Sequence, residues 1–197
     1  MNSGNNPDTD PANNDTLVGA VRFAFFKLLQ QVNGMLPVQV IAYDRTTNRV
    51  QVQHFINIVT TGNQQVPRPQ VASVPALILG AGGFMISFPI NTGDKGWLLA
   101  NDRDISAFLQ SYGQSAPVTG RMFNFADGLF IPDIMTDYTI GSGNNDSMVI
   151  QSVDGTLNMA LGSSGLSITS TAPVTVTTPT FAVVGNITAT GSITPFV

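Results

Sequence analysis

From residue 17 the apolar positions recur every three or four residues, at Leu17, Val21, Ala24, Phe25, Leu28 and Val32. That is the period of an amphipathic helix. Asp15 or Thr16 supplies its N-cap, and Gly34 followed by Pro37 its stop, so a helix is expected over 15–35. Ahead of it, residues 1–14 are mostly Asn, Asp, Pro, Gly and Ser and read as a disordered arm. After Pro37 the period changes to two. Val38–Tyr43 and Val50–Gln53 flank the polar turn 44–48 and read as a hairpin. Val71–Leu79, interrupted by Pro75, reads as an edge or bulged strand. Phe84–Pro89 and Gly96–Ala100 complete five short strands. Strands of this length with tight turns favour a small OB-like barrel over 36–105. Residues 106–138 read as a connector whose most apolar part is Gly120–Pro132.

The pattern changes again from Thr139. Short β-type pieces recur at Met148–Ile150, Leu157–Leu161, Leu166–Thr169, Val174–Thr177, Phe181–Val184, Ile187–Thr190 and Ile193, with Gly, Pro, Asn or Ser between them. Apolar residues alternate with Thr or Ser, which makes one face dry and the other wet. Each piece is too short for one chain to enclose a core. A repetitive β-segment of this kind is closed by intertwining three copies, which also removes its edges. The expected core positions of such a trimeric β-helix over 139–197 are Val149, Leu157, Leu161, Leu166, Ile168, Val174, Val176, Phe181, Val183, Ile187 and Ile193. The alternative is a Thr/Ser/Gly linker, which needs no such regular alternation. The fold class expected is therefore mainly β: an N-terminal helix, a five-stranded barrel and a trimeric β-prism.

Charge sharpens this picture. Only 10% of the 197 residues are charged, against about 25% in an ordinary soluble domain. Beyond Thr139 the charged side chains are Asp146 and Asp154 alone. A stiff, tapering and nearly uncharged rod avoids the penalty of burying charge on entering lipid. With 8 Lys+Arg against 12 Asp+Glu, the chain lacks the basic surface that phosphate binding requires, so no nucleic-acid partner is expected. There is no cysteine, hence no disulfide framework and no thiolate metal site. Leu17–Leu29 carries Arg22 and Lys27 and is shorter than the roughly 20 residues that span a bilayer. The first residues, Met1-Asn2-Ser3-Gly4, lack the features of a signal peptide.

The order of helix, barrel, connector and charge-free β-segment resembles the phi92-type central spike proteins of contractile-tailed bacteriophages. The resemblance rests on the barrel phrase Gly83–Leu99 with its Pro89…Gly93-Asp94 turn, on Asn101–Ile105, and on Arg121–Gly128. It implies a homotrimer in the virion, at the baseplate tip. Its barrel end would dock on the tail hub, and its β-helical needle would pass transiently through the host outer membrane. Leu17, Val21, Phe25 and Leu28 then form a hub-docking helix, packed in the trimer or inserted into the hub. Members of this group often end in a His-x-His pair from which three chains bind iron. This chain instead ends Gly191–Val197, and its one histidine is His54. No metal or other cofactor is therefore expected. Either Pro195, Phe196 and Val197 plug the apex or a separate protein caps it.

Catalytic patterns are weak, and the chain is not expected to be an enzyme. Gly162-Ser163-Ser164-Gly165 is not a nucleophile elbow, and Gly80–Gly83 lacks the Lys-Ser/Thr of a phosphate loop. Asp102 and Asp104 are paired carboxylates of the kind used on glycans, but they follow a strand end beside Arg103 and read as a solvated or ion-paired turn. The alternative function is a trimeric tail adhesin for a host glycan. Such a protein should carry distal aromatics for stacking on sugars, and beyond Thr139 there are only Phe181 and Phe196.

Overall fold

A computed structural model describes residues 16–60 and 63–191. The arm 1–14, Ile193 and the apex residues Pro195, Phe196 and Val197 lie outside the described residues. Two compact units divide the chain after Asp137.

The first unit opens with helix α1 (Leu17–Leu29). Thr16 is its N-cap, and the Thr16 hydroxyl accepts from the Gly19 amide at 3.0 Å. Strands β1 (Met35–Asp44) and β2 (Arg49–His54) form the expected hairpin. Asp44 closes its turn, accepting from the Thr46 amide and the Thr47 hydroxyl. The short strands β3 (Ile58–Val59) and β4 (Gln65–Val66) pair with each other. They precede β5 (Val71–Pro75), which lies on β2. A hairpin of β6 (Leu79–Ala81) and β7 (Phe84–Ile86) leads to β8 (Lys95–Asn101). Helix α2 (Ser106–Ser111) then precedes β9 (Asn124–Pro132).

The main sheet runs β5-β2-β1-β8-β9. A parallel bridge between Ala76 and Phe130 brings its outer strands together, so the sheet is a nearly closed barrel. Two features let it curl. In β1 an extra residue, Ile41, bulges between Val40 and Ala42, bending the strand so that it serves both β2 and β8. The Ile41 carbonyl is satisfied by the Thr92 hydroxyl. In β8, Gly96 opens the space that the Phe130 ring fills. A Cβ at Gly96 would lie 2.5 Å from that ring and against the Ile131 carbonyl. Val38, Val40, Val50, Val52, Val74, Leu98 and Phe130 are fully buried and form the core.

Two expectations need correction. Phe84–Pro89 is not a barrel strand: Gly82 and Gly83 take positive φ and fold it back on Leu79–Ala81, leaving Phe84 85% exposed. The fifth barrel strand is β9, inside the segment read as a connector over 106–138. The barrel therefore extends to Pro132 and not only to residue 105.

The second unit contains a 3-10 turn (Ser142–Asn144) and three antiparallel strands, β10 (Met148–Gln151), β11 (Asn158–Gly162) and β12 (Gly165–Thr169). They pair in the order β10-β11-β12 within one chain. The expected three-chain β-helix is not seen in this single chain, and residues 170–191 carry no strand. Among the described hydrophobic residues of this unit only Ala160 is buried.

Candidate functional site

Two turns set the register of the second unit. In the first, one Asp154 carboxylate oxygen accepts from the Ser152 hydroxyl at 2.6 Å and from the Thr156 amide and hydroxyl at 3.1 and 2.9 Å. These bonds, that from Ser152 foremost, hold its pKa below the usual carboxylate value. The second is the two-residue turn Ser163-Ser164, between the paired Gly162 and Gly165.

This register sorts the side chains. Met148, Leu161 and Leu166 stand in one row, and Ile150, Met159 and Ile168 in the next. Alternation puts all six on one face. They are 43–66% exposed, and the face holds no polar side chain in these rows. The other face carries Val149, Ala160 and Ser167 in one row and Gln151, Asn158 and Thr169 in the next. The chain covers part of that side itself. Ser147 lies over Gly162, Asn144 donates to Asn158 at 3.5 Å, and Ala160 is buried.

The structure thus brings together Leu161, Leu166 and Ile168 of the expected core set and adds Met148, Ile150 and Met159 to them. It separates Val149, which points to the opposite face beside Ala160. Leu157 sits in the turn before β11, exposed. Val174, Val176, Phe181, Val183 and Ile187 are exposed on a segment without strands. In the first unit, Leu17, Val21, Phe25 and Leu28 share one side of α1 and are 60–81% exposed, whereas Gly19 is buried on the opposite side.

The paired-carboxylate positions behave differently from each other. Asp102 is exposed. Asp104 is buried and accepts from the Ser106 amide (2.9 Å), the Thr119 amide (3.0 Å) and the Thr119 hydroxyl (2.7 Å). Arg121 lies 3.4 Å from Asp104 and grips Asp127 with two bonds of 3.1 and 2.9 Å. This network clamps the loop after β8 onto β9. Hydrogen bonds from Ser106, then from Thr119, with the Arg121 charge nearby, hold the Asp104 carboxyl far below the usual carboxylate range. A depressed carboxyl stabilises the fold above the unfolded pKa of about 3.9 and loses that contribution only as pH falls through the lower, folded value. The Thr119 amide shift is therefore expected to stay constant from pH 7 to 4 and to titrate only below that. A midpoint near 4 would contradict the clamp.

No helix among the described residues is long and apolar enough to cross a membrane. No group of three His, Cys, Asp or Glu among them could hold a metal ion. Residues 36–133, which contain the five barrel strands almost entire, match the model of the phage protein Gp138 N-terminal domain family. No curated protein matches the chain. The family match supports a bacteriophage structural protein and a component of the virion.

Proposed function

We propose, with the phage-type barrel as the premise, that the chain is the central spike of a contractile-tail baseplate. Three copies form a shaft that is driven into the host envelope, and no catalysis is involved. The barrel end docks on the tail hub through the exposed side of α1. The observation that carries this reading is the bare face of Met148, Ile150, Met159, Leu161, Leu166 and Ile168. Burying the exposed half of six such side chains is worth on the order of 1 kcal/mol each, about 6 kcal/mol per copy. A small sheet draws its stability from packing its apolar face, and among the described residues this face is left exposed, so it calls for a cover. Sister copies provide one of identical chemistry. The near absence of charge beyond Thr139 leaves little to desolvate when the shaft meets lipid.

An antibody raised against the purified chain is expected to mark the distal end of the tail in electron micrographs. Excess purified chain should leave adsorption of phage to cells unchanged. Labelling of the capsid or fibres would refute the spike, and blocked adsorption would indicate the adhesin.

A further inference from the structure

Beside β2, the chain ahead of β5 does not join the sheet by its backbone. It is held off by side chains: the Gln53 amide donates to the Arg68 carbonyl at 2.8 Å, and Gln51 to Gln70 at 2.7 Å. The gap is a cleft of about 330 Å³ whose lining includes Asn33, His54, Arg68, Val71, Phe125 and Ala126.

Two side chains in it, Arg68 and His54, are positioned but incompletely satisfied. Asn33 is anchored by its bond to the Phe123 carbonyl at 2.9 Å and accepts from one Arg68 terminal nitrogen at 3.4 Å. That fixes the guanidinium, yet its Nε is buried and without a hydrogen-bond partner among the described residues. His54 is 5% exposed, packed 4.6 Å from the Phe125 ring, and neither ring nitrogen makes a hydrogen bond of normal geometry. Burial, then the neighbouring Arg68 charge, lowers its pKa, while a backbone hydrogen bond with Pro69, too distorted to count as one of normal geometry, works the other way. In its neutral form, which this environment favours, the ring has one N–H to give. No Asp or Glu lines the cleft, and Arg68 forms no ion pair among the described residues.

We infer that this cleft is a binding site for a carboxylate group, held between the Arg68 guanidinium and the His54 imidazole. A buried donor left unmade costs about 1–3 kcal/mol, and more when charged. Two such donors in one cleft call for an acceptor. A carboxylate is planar, carries a single charge and offers two oxygens, which suits one guanidinium edge and one neutral imidazole. A phosphate dianion would call for more positive charge than Arg68 alone provides. The carboxylate belongs either to a small organic acid or to an acidic side chain of a docked protein.

The single histidine makes the test direct. Acetate and a capped Gly-Asp-Gly tripeptide are titrated into the intact protein at pH 7 and constant ionic strength, following the imidazole and arginine Nε–H resonances by NMR. The expected result is a saturable shift of both, weakened at least about tenfold by Arg68→Gln while the amide spectrum of the barrel is retained. Arg68→Lys, which keeps the charge but loses the planar fork, should recover only part of the binding. Tighter binding of the tripeptide than of acetate assigns the site to a protein partner, and equal binding to a free acid. Shifts that rise linearly, or that are identical in Arg68→Gln, would overturn the assignment. The result is independent of whether the chain forms a spike.

Discussion

Phe130→Ala is expected to destabilise the barrel by about 3–5 kcal/mol. Phe130 is the largest fully buried side chain of the core. Its ring occupies the space left by Gly96, and its carbonyl accepts from the Leu77 amide at 2.8 Å, next to the bridge that joins the outer strands. Truncation leaves a cavity at the seam where the barrel closes. For a unit of this size each kcal/mol moves the midpoint by about 4 °C, so a fall of about 12–20 °C is expected. Trp97, the one tryptophan, reports it through fluorescence, because its indole donates to Asp133 at 2.6 Å across β8 and β9. A loss below about 1 kcal/mol would mean that Phe130 does not hold the seam.

Met159→Asp addresses the other unit. Met159 stands between Ile150 and Ile168 in the middle strand, 43% exposed in the single chain. A carboxylate there costs little in a lone copy, because water reaches it. In a closed trimer it would bring buried like charges together without partners, which costs several kcal/mol per ion. The expected outcome is loss of the trimer, with the Trp97 signal of the barrel unchanged. The matched control is Ser167→Asp, on the opposite face of β12, which should leave the mass unaltered. Equal masses for Met159→Asp and the unsubstituted chain would exclude this face from the interface.

How far these surfaces were legible depended on whether the governing contact is local. The β1–β2 hairpin was readable because both strands alternate around a polar turn. Strand β9 was not: between Phe125 and Phe130 both Asp127 and Gly128 are buried, since the register against β8 shifts between Leu99 and Asn101. That break erases the two-residue period and makes the strand look like a connector. The hairpin of β6 and β7 misled in the opposite sense, because its apolar strand is exposed. In the second unit the parity of each strand could be read, but Met148-Val149-Ile150 offers two parities. Only the β10–β11 pairing, set by the Asp154 turn, shows that Val149 belongs with Ala160. The Asp104–Arg121–Asp127 clamp and the Arg68–His54 cleft join residues distant in the chain, and no spacing announces them.

The mass of the purified intact chain in solution, measured by light scattering at micromolar concentration, tests the three-copy shaft most directly. Three times 20.8 kDa, independent of dilution over that range, is the predicted value. A monodisperse 20.8 kDa species would contradict it, since the apolar face of β10–β12 would then be stable bare.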